Sequence, residues 1–173
     1  MEQTPTVKEA IGILRKVDCS NAVIQHCKAV SELAVDLGLR VVSKGIKVNL
    51  ELVRIGALLH DIGRSKTHSV DHGIIGAEIL ASLNISNSII RIVERHVGSG
   101  IPIEETTKLG LPKKDLTPKT IEEKIVSYAD KLIDGKKRIS FNEAVESFAE
   151  EFGNSHAILD RFKQMHCELG LGE

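Results

Sequence analysis

The chain has 173 residues, 42% of them hydrophobic, enough for one domain of ordinary size with its own core. Twenty-three basic against 24 acidic residues leave a net charge of −1, and four Phe, one Tyr and no Trp offer few stacking platforms, so no large nucleic acid is expected as a partner. Cys19, Cys27 and Cys167 form no C-x-x-C pair, no basic-then-apolar leader opens the chain, and no stretch nears the roughly 18 apolar residues of a membrane span; reduced thiols and a soluble, cytoplasmic chain with no membrane partner are expected.

Thr6-Val-Lys-Glu9 is a capping-box pattern, and Val7, Ala10, Ile11 and Leu14 behind it give a short amphipathic first helix. The next helix is expected from Ser20 to Gly38, with Val23, His26, Val30, Leu33, Ala34 and Leu37 at spacings of three and four. His26 therefore lies on the apolar stripe. Taken alone, an inward His is more often a hydrogen-bonded core residue than a ligand.

Asn49 can cap a helix whose apolar run ends at His60-Asp61, with Gly63 as its left-handed stop. Two polar, ionisable groups there cost free energy unless something compensates them, and a cation is the simplest compensation. After a short basic stretch, Asp71 can cap a helix carrying His72, Ile75, Gly76, Ile79, Leu80 and Leu83 on one face. The small Gly73, Gly76 and Ala77 suit close approach to a ligand or simply tight helix packing. Ser86 opens a helix from Asn87 to Val97 whose stripe of Ile89, Ile92 and Val93 closes at His96, and Gly98-Ser99-Gly100 ends it.

From Gly98 to Thr120 the chain is rich in Gly, Pro, Thr and Lys, with one short helix from Pro102. It is either a lid that sets specificity or a surface loop. Thr120-Ile-Glu-Glu123 is a capping box for a helix in which Asp130 falls on the seam between Val126 and Ile133. Ser140-Phe-Asn-Glu143 opens another, and His156 to Leu169 the last. The last two read as a cover without convergent polar groups, and no convincing strand is seen. The expectation is an all-α single domain over 1–173, with its core at about 20–133.

His26, His60, Asp61, His72, His96 and Asp130 thus fall on the apolar faces of five expected helices. Burying six unpaired ionisable groups in so small a core is destabilising unless they converge on a shared charge. Imidazole with carboxylate suits Fe, Mn, Co, Ni or Zn better than Mg or Ca, and the absence of thiolates argues for an open, catalytic site.

His26, then His60-Asp61, then Asp130 resemble the H…HD…D signature of the HD-domain metal-dependent phosphohydrolases, an all-α fold in which those residues bind metal. His60-Asp-Ile-Gly63 behind its apolar helix strengthens the likeness. His72 and His96 resemble the two extra histidines of the dinuclear subgroup. His72-Gly-Ile-Ile-Gly-Ala77 with His96-Val-Gly98 is similar to HD-type diadenosine polyphosphate hydrolases, whereas the Gly-Tyr-Pro element of the cyclic di-GMP phosphodiesterases is missing.

The resemblance implies two divalent ions. His26, His60 and Asp130 are expected around one, His72 and His96 around the other. A carboxylate can bridge two cations, so Asp61 is the candidate bridge, and Asp61, His72 and His96 carry the catalytic assignment. The implied reaction is attack of an ion-activated water on phosphorus, with a small phosphorylated substrate, a nucleotide for preference. Arg64, Lys66, Arg95 and Lys131 flank the ligands and either hold phosphate or are solvated surface charges, with Arg64 and Lys66 foremost. His68 is a loop residue or outer proton donor, and His156 and His166 are structural. The alternatives are a mononuclear nucleotidase, a di-iron oxygenase of the HD type and a non-catalytic nucleotide-binding module. A homodimer through the terminal helices is open.

Overall fold

The computed structural model describes residues 3–153 and 156–171. Helix α1 (Val7–Lys16) begins with the expected reciprocal cap, in which Glu9 N–H donates to Thr6 Oγ1 and Thr6 N–H to Glu9 Oε2. It buries Ala10 and Leu14 against α3 (Leu50–Leu59). Helix α2 (Asn21–Ser43) starts at the Ser20 cap but does not stop at Gly38. That glycine is there for contact: a Cβ on it would lie 2.7 Å from Leu50 Cδ2, so its bare surface lets the start of α3 press against α2.

Helices α2, α3 and α7 (Ile121–Lys131) pack mutually, and α5 (Asn87–Arg95) closes on α3 and α7 while α4 (His72–Ser82) packs on α5. Two apolar clusters result. One runs through Val30, Leu37, Val53, Ile125 and Phe162, the other through Leu14, Ile24, Ile55, Leu59 and Ile89. Each such side chain contributes about 1.5–3 kcal/mol on burial. Asp130 follows Ala129 of the first cluster and His60 follows Leu59 of the second, so the polar groups emerge where the two cores meet.

The segment after α5 has a small core of its own. Gly98, Ser99 and Gly100 all take positive φ, Ile101 pairs with Leu116 across an isolated antiparallel bridge, and α6 (Ile103–Thr106) follows Pro102 as expected. Ile101, Leu111 and Leu116 are buried with Val70, Ile74 and Val97 against them, so this connection is packed structure. Helices α8 (Phe141–Phe152) and α9 (Ala157–Glu168) complete the all-α fold.

Several local expectations are corrected. Gly63 is not a left-handed stop. It sits in a 3₁₀ turn (Ile62–Ser65), where a Cβ would fall 1.9 Å from the His72 carbonyl oxygen. Helix α5 ends at Arg95, and neither Ser86 nor Asp71 caps through its side chain. At Thr120 only half the box forms, because the Glu123 carboxylate turns to Arg95 and to the Lys119 N–H. A two-stranded antiparallel hairpin, β1 (Ile133–Asp134) and β2 (Lys137–Arg138), was not expected; Gly135 turns it at φ 59°. Among the described residues, no helix is long and apolar enough to cross a membrane.

Candidate metal centre

His60 stands at the C-cap of α3 and His96 at the C-cap of α5, where the last carbonyls of each helix lack partners within it. Each imidazole uses Nδ1–H to satisfy one of them: His60 donates to Ala57 O at 2.7 Å and His96 to Val93 O at 2.6 Å. His72 does the same to Ser69 O at 2.7 Å, and His26 to Gly135 O, at the hairpin turn, at 2.7 Å. With Nδ1 carrying the proton, all four rings turn an Nε2 lone pair toward one centre. These backbone bonds fix the tautomer that a metal ligand needs.

The lone pairs meet no matching donor. His72 Nε2 and His96 Nε2 are 3.1 Å apart, two acceptors facing each other, and buried His60 Nε2 has no hydrogen-bond partner. A spacing near 3 Å is that of neighbouring ligands each about 2.1 Å from a shared ion. The donor set therefore fits divalent metal better than any hydrogen-bonded core.

Two carboxylates complete it. Asp61 Oδ1 faces His72 Nε2 at 3.3 Å and His96 Nε2 at 3.5 Å, while its Oδ2 faces His60 at 3.7 Å and His26 at 3.9 Å. One oxygen serves each histidine pair. Asp130 Oδ1 lies 3.0 Å from His26 Nε2 and 3.4 Å from His60 Nε2. His26, His60 and Asp130 form one group with donor atoms within 4.8 Å of one another, and His60, Asp61 and His96 form another.

Electrostatics follow the crowding. Burial alone would raise the Asp61 carboxyl, but His60, His72 and His96 outweigh it and hold it well below the ordinary range. Asp130 is likewise held down, against burial, by Lys131, His26 and His60. Burial lowers His96 to about 4, whereas at His60 the Asp61 carboxylate overcomes burial and raises the imidazole. The positive charge that Asp61 favours at His60 Nε2 is a proton when no ion is bound, and a divalent cation would take that proton's place.

The centre opens into a cleft of about 1320 Å³, reached by His26, Asp61, His72 and Asp130, with His60 and His96 behind. Arg64 lines it, held by Asp61 Oδ1 at 3.3 Å and the His68 carbonyl at 2.9 Å, and Lys131 lines it paired with Asp130. Lys66 and Arg95 do not. Lys66 is exposed outside the lining, and Arg95 Nη1 is bound at 3.0 and 3.1 Å by both oxygens of buried Glu123.

His68 is exposed at the rim, and His156 also borders the cleft while its Nδ1 caps α9. The last two helices are more than a cover, since Glu143, Ser147, Glu151 and Arg161 line the cleft with Lys108. Arg161 grips Glu105 through two bonds of 2.8 and 2.9 Å, joining α9 to the packed connection. Their sequence distance left no motif; only tertiary placement reveals them.

Residues 23–134 match the HD domain family model, and the chain belongs to that family. Uncharacterized protein MJ0778 of Methanocaldococcus jannaschii is 46% identical over 162 residues, covering 94% of this chain and 95% of its own. The tRNA (cytidine(56)-2'-O)-methyltransferase of Picrophilus torridus is 42% identical over 95% of this chain, which spans only 46% of that enzyme's length. Ribonuclease Y of Acidothermus cellulolyticus is 25% identical over 92% of this chain and 28% of its own. Among solved structures, the HD domain of the phosphodiesterase PgpH of L. monocytogenes in complex with cyclic-di-AMP shares the fold, with a TM-score of 0.59 at 17% identity over 91% of this chain and 93% of that one.

Proposed function

We propose that the chain is a metal-dependent phosphohydrolase of the dinuclear HD kind, acting on a nucleotide or other small phosphoester or phosphoanhydride. The observation that carries this reading is the split of Asp61, one oxygen toward His72 and His96 and the other toward His26 and His60, with each ring's Nδ1 already spent on a backbone carbonyl. On this reading His26, His60 and Asp130 would hold one divalent transition-metal ion and His72 and His96 a second, with Asp61 available to both. When bound, such ions supply a nucleophilic water at neutral pH and neutralise charge on phosphoryl oxygens.

The remaining roles fall to the chain. Arg64 and Lys131 offer positive charge beside the ligands, and Asp61, Asp130 and the His68 carbonyl keep both side chains aimed into the cleft. The backbone acceptors of the four imidazoles keep each Nδ1 protonated and each Nε2 free. His68, exposed at the rim of the cleft, is the candidate to pass a proton from solvent to the departing oxygen. No side-chain nucleophile is needed.

The cleft exceeds the 300–1,000 Å³ common for small-ligand pockets, which supports a substrate of nucleotide size or larger. A phosphodiester in RNA is the second reading, favoured by the names of the methyltransferase and ribonuclease relatives. Phosphate release from mononucleotides and dinucleoside polyphosphates, and cleavage of cyclic dinucleotides and short RNA, measured with added Mn, Fe, Co or Ni, tests both. Metal-dependent turnover that disappears in Asp61→Asn is the expected result. Full metal content with tight nucleotide binding and no turnover would instead make the chain a binding module, and oxygen uptake by the reduced protein would make it an oxygenase. Turnover unchanged in His72→Ala would favour the mononuclear alternative.

A further inference from the structure

A second cavity, of about 430 Å³, opens among α2, α7, the hairpin, the start of α8 and the end of α9, outside the metal centre. Arg40 and Arg138 line it together with Tyr128, Ser140, Phe141 and His166. In a chain of net charge −1, two arginines lining one concavity need a reason. Their charges converge on the same point: burial pushes the Tyr128 phenol up to about 12, and both Arg40 and Arg138 act against that rise. Burial, and after it Arg40, lowers the His166 imidazole, whose Nδ1 lies 2.6 Å from the Tyr128 hydroxyl.

Two further features point the same way. The cap Ser140 and the first residue, Phe141, of the twelve-residue helix α8 line the cavity. Its capping box engages the N–H groups of Ser140 and Glu143, while those of Phe141 and Asn142 have no acceptor within the helix. His166 stacks on Phe141 at 3.9 Å between ring centres, forming a flat wall that leaves the arginines as the polar side. The competing charge is Asp36, 3.7 Å from Arg138 with both side chains more than half exposed, a contact that water screens. Among the described residues, Arg40 makes no ion pair with a carboxylate.

We infer that this cavity is a second ligand site, taking a small anion that carries a phosphoryl group between Arg40, Arg138 and the N-terminus of α8. Guanidinium forks and free helix N–H groups together match a tetrahedral, multiply charged oxyanion. The hairpin borders both sites: Arg138 lies three positions after Gly135, whose carbonyl orients His26.

The protein carries its own reporter, because Tyr128 is the one tyrosine of the chain and there is no tryptophan. Tyrosine fluorescence is titrated with inorganic pyrophosphate in the wild type, in Asp61→Asn, and in Arg40→Gln/Arg138→Gln. Both arginines are exposed, so their replacement leaves the fold intact, which circular dichroism checks. A saturable change is expected in the wild type and in Asp61→Asn alike, at least ten-fold weaker in the arginine variant. An equal response in the arginine variant, no saturation up to millimolar pyrophosphate, or a response of equal affinity to succinate would each overturn the assignment. Because the readout involves no turnover, it stands or fails separately from the phosphohydrolase reading.

Discussion

Gly63→Ala perturbs the centre without replacing any of the six converging side chains. The added Cβ would sit 1.9 Å from the His72 carbonyl oxygen and 2.8 Å from both His72 C and Gly76 N, whereas real Cβ contacts essentially never fall below 3.0 Å. All three neighbours are backbone, so no side chain can swing away. Relief requires the start of α4 to retreat by about 1 Å, taking His72 with it. Overpacking of this kind costs about 1–3 kcal/mol, and a clash against the backbone of two residues belongs at the upper end. At roughly 2–4 °C per kcal/mol for a domain of this size, Tm should fall by roughly 6–12 °C. The shift also exceeds the about 0.5 Å within which a ligand constellation must be held, so metal content should fall toward one ion per chain. Calorimetry and plasma mass spectrometry on the same preparation read both effects. An unchanged Tm with undiminished metal would refute the claim that Gly63 seats His72.

Gly12→Ala is the converse, since nothing lies within 4 Å of its Cβ position inside α1, and a gain of about 0.5–1 kcal/mol is expected by denaturant titration. Arg95→Gln strands buried Glu123 and should cost about 3–5 kcal/mol in the same assay; turnover per folded molecule should persist, because Arg95 does not line the cleft. Thiol titration of the native protein at pH 8 should label Cys167 alone, with Cys19 and Cys27 reacting only after denaturation. Burial, then the charges of Cys27 and Asp61, push the Cys19 thiol up to about 11 from an ordinary value of 9.0. The folded chain therefore keeps a proton that the unfolded chain loses, and stability should decline as pH rises from about 9 toward 11. Cys19→Ser, which removes the ionisable thiol, should flatten that decline.

The six residues that converge were legible because each is a polar residue that interrupts or closes an apolar stripe. His60 follows Ala57-Leu58-Leu59, His96 follows Ile92-Val93, and His26 lies one turn before Val30. Such positions violate burial preferences openly, and function is the usual reason. The hairpin was also written in the chain, as Asp134-Gly135 where β1 ends and the turn begins, but two-residue strands carry too little alternation to register as a pattern. Gly38 and Gly63 were read by local rules as helix stops; both are contact glycines, and what they touch, Leu50 and His72, is known only once the helices pack. Arg95 illustrates the limit for charges. Its place beside His96 suggested phosphate, yet Glu123, 28 residues on, claims it and breaks its own capping box to do so. The pairing of Arg161 with Glu105 and the contribution of α8 and α9 to the cleft lay beyond any periodicity, because they depend on where the connection after α5 folds back.

The central claim is that six side chains from five helical segments hold two ions with Asp61 between them. Metal content per chain, measured by plasma mass spectrometry on protein purified without chelator and then reconstituted with Mn, Fe, Co or Ni, tests it most directly. Near two ions in the wild type, falling to about one in His72→Ala/His96→Ala and to none in Asp61→Ala/Asp130→Ala, is the predicted result. One ion or fewer in the wild type, with no further loss when His72 and His96 are replaced, would contradict it.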